Sequence, residues 1–519
     1  VVANSRVILL AVLSAAAVVP VALAQDAPKP PAKPGQKAEA FQEALSETKH
    51  TITVGGAKLE YTATAGNLLL KDDDGKTTAS VFFIAYTKVG VDDLGKRPIT
   101  FTFNGGPGSS SVWLHLGAFG PKRVEVGDVG EPVAPPYRLG VNESTLLDQT
   151  DLVFVDPVST GYSRHAPGQN PKQFHGVQED ITSVGEFIRL YVTRFNRWTS
   201  PKFLAGESYG TTRAAGLVGH MQDRHGMDFN GVILISSVLN FATIRFDDGN
   251  DLPYPLFLPT YAATAWYHKK LSAELQGDLH KTLAEVEKFA LGEYTTALIK
   301  GDKLSADEHR QVVQKLARYT GLSEEYVARS NLRVEISRFT KELLRPERLT
   351  VGRYDSRYKG TDEDAIGDRP EYDPSFVAVQ GPYTATFNQY VRTELKYERD
   401  VPYEILTGRV QPWDYGNARN RYLNVAPTLR GAMTKNRDLR VFVACGYDDL
   451  ATPYFATEYT FNHLGLEPGL SGHVTMSFYD AGHMMYTHKP ALQKLKKDLS
   501  SFIQGAVRPA PRAPAAAAS

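Results

Sequence analysis

The segment Gly206-Glu207-Ser208-Tyr209-Gly210 sets a serine between two glycines, after the apolar run Phe203-Leu204-Ala205 and before helix-prone residues 211–221. A strand, a tight turn and a helix in that order make a nucleophile elbow, which exposes a serine hydroxyl. Glycines two residues before and after permit the strained turn, and the following helix N-terminus favours nearby negative charge. Alone, the segment reads equally well as a Gly-rich turn opening a helix. A serine nucleophile needs a base, and the base an orienting acid. His483, in Tyr479-Asp480-Ala481-Gly482-His483-Met484, follows the strand-like residues 474–478 and suits the base. His463, His473 and His488 read as surface histidines. Asp448 and Asp449 follow the apolar run ending at Cys445-Gly446, and either could orient the imidazole. Asn104-Gly105-Gly106-Pro107-Gly108 follows residues 99–103; paired glycines before proline make a close turn with exposed amides, as an oxyanion hole requires. It lacks the Lys-Ser/Thr ending of a phosphate-binding loop.

These residues need a frame. Residues 51–54 alternate with period two before the turn signal Gly55-Gly56, and 80–86 and 99–103 are β-branched and aromatic. Short apolar runs at 152–155, 203–205, 232–235 and 441–443 fit buried parallel strands. Between them, Val177, Ile181, Val184, Ile188, Tyr191 and Phe195 are spaced by four, three, four, three and four, an amphipathic helix over 175–195. Leu492, Leu495, Leu499 and Phe502 predict a second. Strands alternating with helices imply a mostly parallel sheet covered on both faces. Residues 41–245 and 429–505 are expected to form this α/β domain. Residues 246–428 break the rhythm: they are helix-prone from 271 to 347, then loop-like, and read as an inserted cap. Within them the aromatics of Trp413-Asp414-Tyr415 could line a pocket, with buried packing the leading reading.

With these motifs in order, the chain resembles the serine carboxypeptidase family. The matching segments are Asn104-Gly105-Gly106-Pro107-Gly108-Ser109-Ser110, Asp156-Pro157-Val158-Ser159-Thr160-Gly161-Tyr162-Ser163, the Ser208 elbow, Gly446-Tyr447-Asp448-Asp449 and Ala481-Gly482-His483-Met484. The resemblance covers about 98–245 and 438–503, and implies an α/β-hydrolase fold with an inserted cap. It implies Ser208 as nucleophile, His483 as base and Asp449 as acid, leaving Asp448 a bystander. It implies oxyanion donors from the backbone of Gly106 and Tyr209. Asn104, Gly105 and Glu207 would hold the C-terminal carboxylate of a peptide. The family's second acidic residue is replaced by Ala118, and its usual cysteine after the glycine turn by Ser109, in keeping with a disulfide-free, bacterial-type member.

The implied reaction is hydrolysis of C-terminal residues through an acyl-enzyme, on peptides with a free C-terminus. Glu207 beside a substrate carboxylate requires a shared proton, while His483 must be neutral, so activity is expected to peak at mildly acid pH. An esterase or acyltransferase on the same scaffold is the second reading. A catalytically idle binding protein is the third, opposed by the intact Ser208, Asp449 and His483 set. No metal or cofactor is implied.

Lys plus Arg and Asp plus Glu are both 58, so the net charge is zero. That gives no electrostatic case for nucleic acid or an anionic membrane. Arg6, the apolar run 7–23 and Ala22-Leu23-Ala24 describe a secretory leader cleaved after Ala24, hence a secreted or periplasmic protein without stable membrane association. Residues 25–40 and 506–519, rich in Pro and Ala, read as disordered. The single cysteine, Cys445, lies in an apolar run and reads as a buried thiol.

Overall fold

Gly55 and Gly56 both sit at positive φ, 56° and 82°, the backbone that a two-residue hairpin turn demands. They fold β1 (Leu45–Val54) back on β2 (Ala57–Lys71). β3 (Thr77–Lys88) continues this antiparallel edge. Then come β4 (Ile99–Phe103), β5 (Asp151–Val155), β6 (Lys202–Ser208), β7 (Gly231–Ser237), β8 (Arg440–Gly446) and β9 (Val474–Tyr479). The order across the sheet is β1-β2-β3-β5-β4-β6-β7-β8-β9. From β5 to β9 every neighbour is parallel. The computed structural model describes residues 41–127, 129, 132–418 and 420–507. The expected leader and linker lie outside the described residues, as do residues 508–519.

Period-two alternation sorts the strand side chains between two cores. Phe83, Phe101, Val153, Leu204, Val232 and Val441 face one side; Phe82, Phe154, Phe203, Ile233 and Phe442 face the other. The first face is covered by α1 (Val177–Arg194) and α2 (Tyr209–His225). The helix Lys489–Val507 covers the second through Leu492, Leu495, Leu499 and Ile503. Its seam continues through Ile503 and Ala506, while half-buried Phe502 leans on the Phe203 and Phe442 rings. It runs to Val507, two residues past the expected end of the domain at 505. This is an α/β-hydrolase fold, a mixed sheet whose parallel part is sandwiched by helices.

Residues 246–428, between β7 and β8, carry α3 (Pro253–Tyr267), α4 (Leu279–Phe289), α5 (Ala306–Thr320) and α6 (Pro374–Thr393). The last corrects the loop-like expectation for this stretch. Its cues are local and long-range. Asp373 Oδ1 accepts from the Ser375 amide at 3.0 Å, and Pro374 opens the first turn. Pro382 inside the helix costs about 3 kcal/mol. Tyr383, Phe387 and Tyr390, all buried, recover about 1.5–3 kcal/mol each, so packing overrides the breaker signal. Among the described residues no helix is long and apolar enough to cross a membrane.

Candidate active site

Ser208 closes β6 and precedes α2 at φ 59° and ψ −129°, a conformation that costs a non-glycine residue about 1–3 kcal/mol. Its glycines make the turn possible. A side chain at Gly206 would meet the Gly210 carbonyl oxygen at 2.1 Å, and one at Gly210 would meet the Phe103 carbonyl oxygen at 2.8 Å. Gly105 lies against the Tyr209 amide, where a Cβ would come within 2.5 Å of that nitrogen. The β4 turn and the start of α2 therefore bring the Gly105-Gly106 backbone and the Tyr209 amide together beside Ser208.

Asp449 and His483 sit on the loops after β8 and β9. Asp449 Oδ2 accepts from His483 Nδ1 at 2.8 Å and from Thr452 Oγ1 at 2.8 Å. Its Oδ1 accepts from the amides of Ala451 at 2.8 Å and Thr452 at 3.0 Å. Both residues are buried. Burial pulls the His483 pKa down, but the Asp449 charge and hydrogen bond, with help from Glu207, outweigh it and raise it. Ser208 and His483 line one cavity of about 40 Å³, without a hydrogen bond between them among the described residues. Such contacts often tighten only with substrate bound. Thr452 is a site residue the sequence reading passed over; the only signal was its place three residues after Asp449.

Glu207, next to the nucleophile, is buried with 3% of its surface exposed. Its Oε1 accepts from Asn104 Nδ2 at 3.0 Å, and its Oε2 has no hydrogen-bond partner among the described residues. Burial pushes its pKa up to about 7, against the smaller opposing pull of His483. The Tyr486 hydroxyl faces the same carboxyl and pulls its pKa down; it is itself buried, without a hydrogen bond of full geometry among the described residues. Asn104 is fixed from three sides: its Oδ1 accepts from the Leu114 amide at 3.0 Å, and its carbonyl from Arg213 Nη1 at 2.7 Å. Arg213 is buried between the Phe103 and Tyr209 rings and paired with Asp180 at 2.7 Å. Nothing in the local sequence marked Arg213, because its partners come from three separate elements.

Ala118 is buried in the turn of helix Leu114–Phe119 that follows the Asn104 loop. Its neighbour Gly117 packs so closely on the Tyr486 ring that a Cβ would meet it at 2.5 Å. Ser109 Oγ accepts from Trp113 Nε1 at 2.9 Å and donates to the Ser110 carbonyl at 2.9 Å. The cavity at Ser208 is walled by Trp113, Tyr354, Phe376, Leu406 and Met484; Tyr354, Phe376 and Leu406 belong to residues 246–428. Trp413 is buried edge-on against Tyr209, 5.5 Å between centroids, and with Tyr415 also borders a separate cavity of about 860 Å³. Cys445 is buried. Asp448, the other acid candidate, makes no hydrogen bond or ion pair with His483 among the described residues; it faces Arg357 at 3.5 Å.

A family model described as serine carboxypeptidase matches residues 59–473. The pheromone-processing carboxypeptidase KEX1 of Coprinopsis cinerea is 33% identical over 149 residues, covering 28% of this chain and 22% of that protein. A carboxypeptidase Y homolog of Arthroderma benhamiae is 29% identical over 156 residues, covering 29% of each. The match spans about a fifth to under a third of the length of these curated relatives. Among solved structures, KEX1(Δ)p, a prohormone-processing carboxypeptidase from Saccharomyces cerevisiae, superposes with a TM-score of 0.54 at 16% identity, over 85% of this chain and 91% of that one.

Proposed function

We propose, for a chain that belongs to the serine carboxypeptidase family, that it releases C-terminal residues from peptides through an acyl-enzyme on Ser208. His483 Nε2 takes the Ser208 proton as Oγ attacks the scissile carbonyl. The oxyanion rests on the amides of Gly106 and Tyr209, and Asp449 holds the imidazolium that forms. Collapse passes the proton to the leaving amine, which departs as the C-terminal amino acid. Water then repeats the attack on the ester, with His483 again as base.

One observation carries the exopeptidase reading: Glu207, buried next to the nucleophile, with a pKa near 7. A neutral carboxyl there shares its proton with a substrate carboxylate, while an ionised one repels it. Asn104 and Gly105 supply the rest of that contact. Aromatic side chains wall the small cavity beside Ser208. Residues 246–428 act as the cap that closes it. The leader-like residues 1–24 fit export to an oxidising compartment, as in a secreted or periplasmic bacterial-type member.

The test is release of the C-terminal amino acid from a blocked dipeptide between pH 4 and 8, against its C-terminal amide and a simple ester. Wild type should cleave the free acid best at mildly acid pH, and Ser208→Ala should be inert. Equal rates and equal pH profiles on acid and amide would favour the esterase or acyltransferase reading instead.

A further inference from the structure

Between the two catalytic loops lies a third segment, and it comes from the insertion. Strands Leu349–Val351 and Lys359–Thr361 form a small antiparallel hairpin, and its loop, residues 352–358, reaches both the Asp449 and the His483 loops. The Leu450 amide donates to the Arg353 carbonyl at 3.1 Å, and the Ser356 amide to the Asp448 carbonyl at 3.0 Å. Asp449 is thus gripped on both sides. On the other loop, the His483 amide donates to the Tyr354 carbonyl at 2.6 Å. The Gly482 amide donates to Asp355 Oδ2 at 3.2 Å. Arg357 Nη1 donates to the Asp480 carbonyl at 2.7 Å. Gly482 fits so tightly that a Cβ would meet the Tyr354 carbonyl oxygen at 2.5 Å. The Tyr354 ring lies 5.2 Å from the His483 ring.

The loop is itself anchored. Arg357 holds Asp355 by two bonds, at 2.9 and 2.7 Å, and faces Asp448 Oδ2 at 3.5 Å, all three side chains being buried. Ser356 accepts from Thr264 of α3 at 2.7 Å, and the Tyr354 amide donates to Ser375 at the start of α6 at 3.0 Å. The two catalytic loops also touch directly, through the Asp448 amide on the Ala481 carbonyl at 3.0 Å and the Asp449–His483 bond itself, and the hairpin loop bonds to both.

We infer that residues 352–358 are a buckle that sets the separation of Asp449 and His483, with Arg357 as its positioning residue. The inference rests on the reading of Asp449 and His483 as acid and base. Arg357 touches no reacting atom. It acts through Asp355 and Asp480 on the His483 loop, and through Asp448 on the Asp449 loop. A displacement of about 1 Å at such a pair costs ~10²-fold in rate. The insertion is therefore part of the catalytic apparatus as well as the wall of the cavity.

The test uses Arg357→Gln, Arg357→Lys and Asp355→Asn in the full chain. Each is first checked by thermal melting, then measured as kcat per active site titrated with a fluorophosphonate. Arg357→Gln should lower kcat ~10²-fold with KM changed less than about threefold, and Arg357→Lys should recover part of it. Asp355→Asn should act in the same direction and more weakly, and keeps the test open if Arg357→Gln does not fold. The acid limb of the kcat profile should move to lower pH, because a loosened Asp449 raises the His483 pKa less. Simple loss of the Arg357 positive charge would move it the other way. Asp449, Glu207, Arg353 and Tyr354 face His483 in every variant and stay unchanged. Folded variants with wild-type kcat per titrated site and the wild-type acid limb would overturn the inference. The fluorophosphonate labelling rate reads the buckle without any peptide, so a wild type that labels but cleaves no peptide would sink the carboxypeptidase reading and leave this one standing.

Discussion

Two buried carboxyl groups stand at this site, Glu207 next to Ser208 and Asp449 behind His483, and they are furnished in opposite ways. Asp449 meets four donors: two amides, a hydroxyl and the His483 ring. Glu207 accepts one hydrogen bond, from Asn104, with the Tyr486 hydroxyl facing it, and its second oxygen has no hydrogen-bond partner among the described residues. Burial without donors is what raises a carboxyl pKa, and Glu207 sits near 7. In the proposed mechanism the same functional group takes two jobs: the donor-rich carboxylate orients and stabilises an imidazolium, and the donor-poor one keeps a proton to share with a substrate carboxylate. Residue type does not distinguish them, and the count of aimed N–H and O–H groups does.

The comparison can be broken most severely at the atom both sides serve. Ser208→Ala should lower kcat by ~10⁶, measured on peptide and ester alike, and abolish fluorophosphonate labelling; residual labelling at another residue would remove Ser208 from both sides at once. Asp449→Asn comes next. It should cost ~10⁴ in kcat on every substrate, with KM for a free-acid peptide little altered. A change confined to the free acid would mean that Asp449 belongs to substrate binding. Glu207→Gln is the mirror image. Loss of a charge-assisted contact worth about 1.5–3 kcal/mol should raise KM for free-acid peptides roughly 10- to 100-fold and leave ester turnover nearly intact.

The pH profile sharpens the contrast. In wild type, kcat/KM on the free acid should fall as pH rises through about 7, where Glu207 gives up its proton, whereas the amide should follow only the His483 limb. Glu207→Gln should bring the two profiles together. The smallest effect is expected from Tyr486→Phe. Its hydroxyl biases Glu207 towards the ionised form, so its loss should raise the Glu207 pKa and extend free-acid cleavage to higher pH, with a change under tenfold in kcat/KM at any pH. A shift to lower pH, or an equal shift on the amide, would remove Tyr486 from the carboxyl side.

Much of this was legible in order along the chain. Each strand of the parallel sheet that the sequence reading named is present, because a buried strand writes itself as a run of apolar residues a few positions long. The helix 175–195 showed itself by spacing alone. α6 did not: Gly381-Pro382 and the polar residues around it imitate a loop, and the stripe Tyr383, Phe387 and Tyr390 pays off only against a core built from distant strands. Ser109 shows a subtler limit. The absence of a cysteine there could be read, but not that its hydroxyl would hold Trp113 in the cavity wall.

What the sequence by itself determined are the conformations that depend on neighbours within a few residues. Gly206 permits the strained turn at Ser208, where a Cβ would meet the Gly210 carbonyl oxygen, and Gly106, at φ 101°, folds the turn after β4 against the Gly108 amide, because only hydrogen fits where the Cβ would be. Chain order placed two acids and a histidine after two strands; it pointed to His483 and left Asp448 and Asp449 open, and only the family resemblance preferred Asp449. The tertiary structure alone decided how many donors each carboxyl group receives. Thr452, Tyr486, Arg213 and the loop 352–358 reach the site from separate elements, and burial, which drives the Glu207 pKa, is a property of everything packed around a residue. Sterics of a turn are local and can be read from a string of letters; desolvation and hydrogen-bond supply are sums over space, and required the fold.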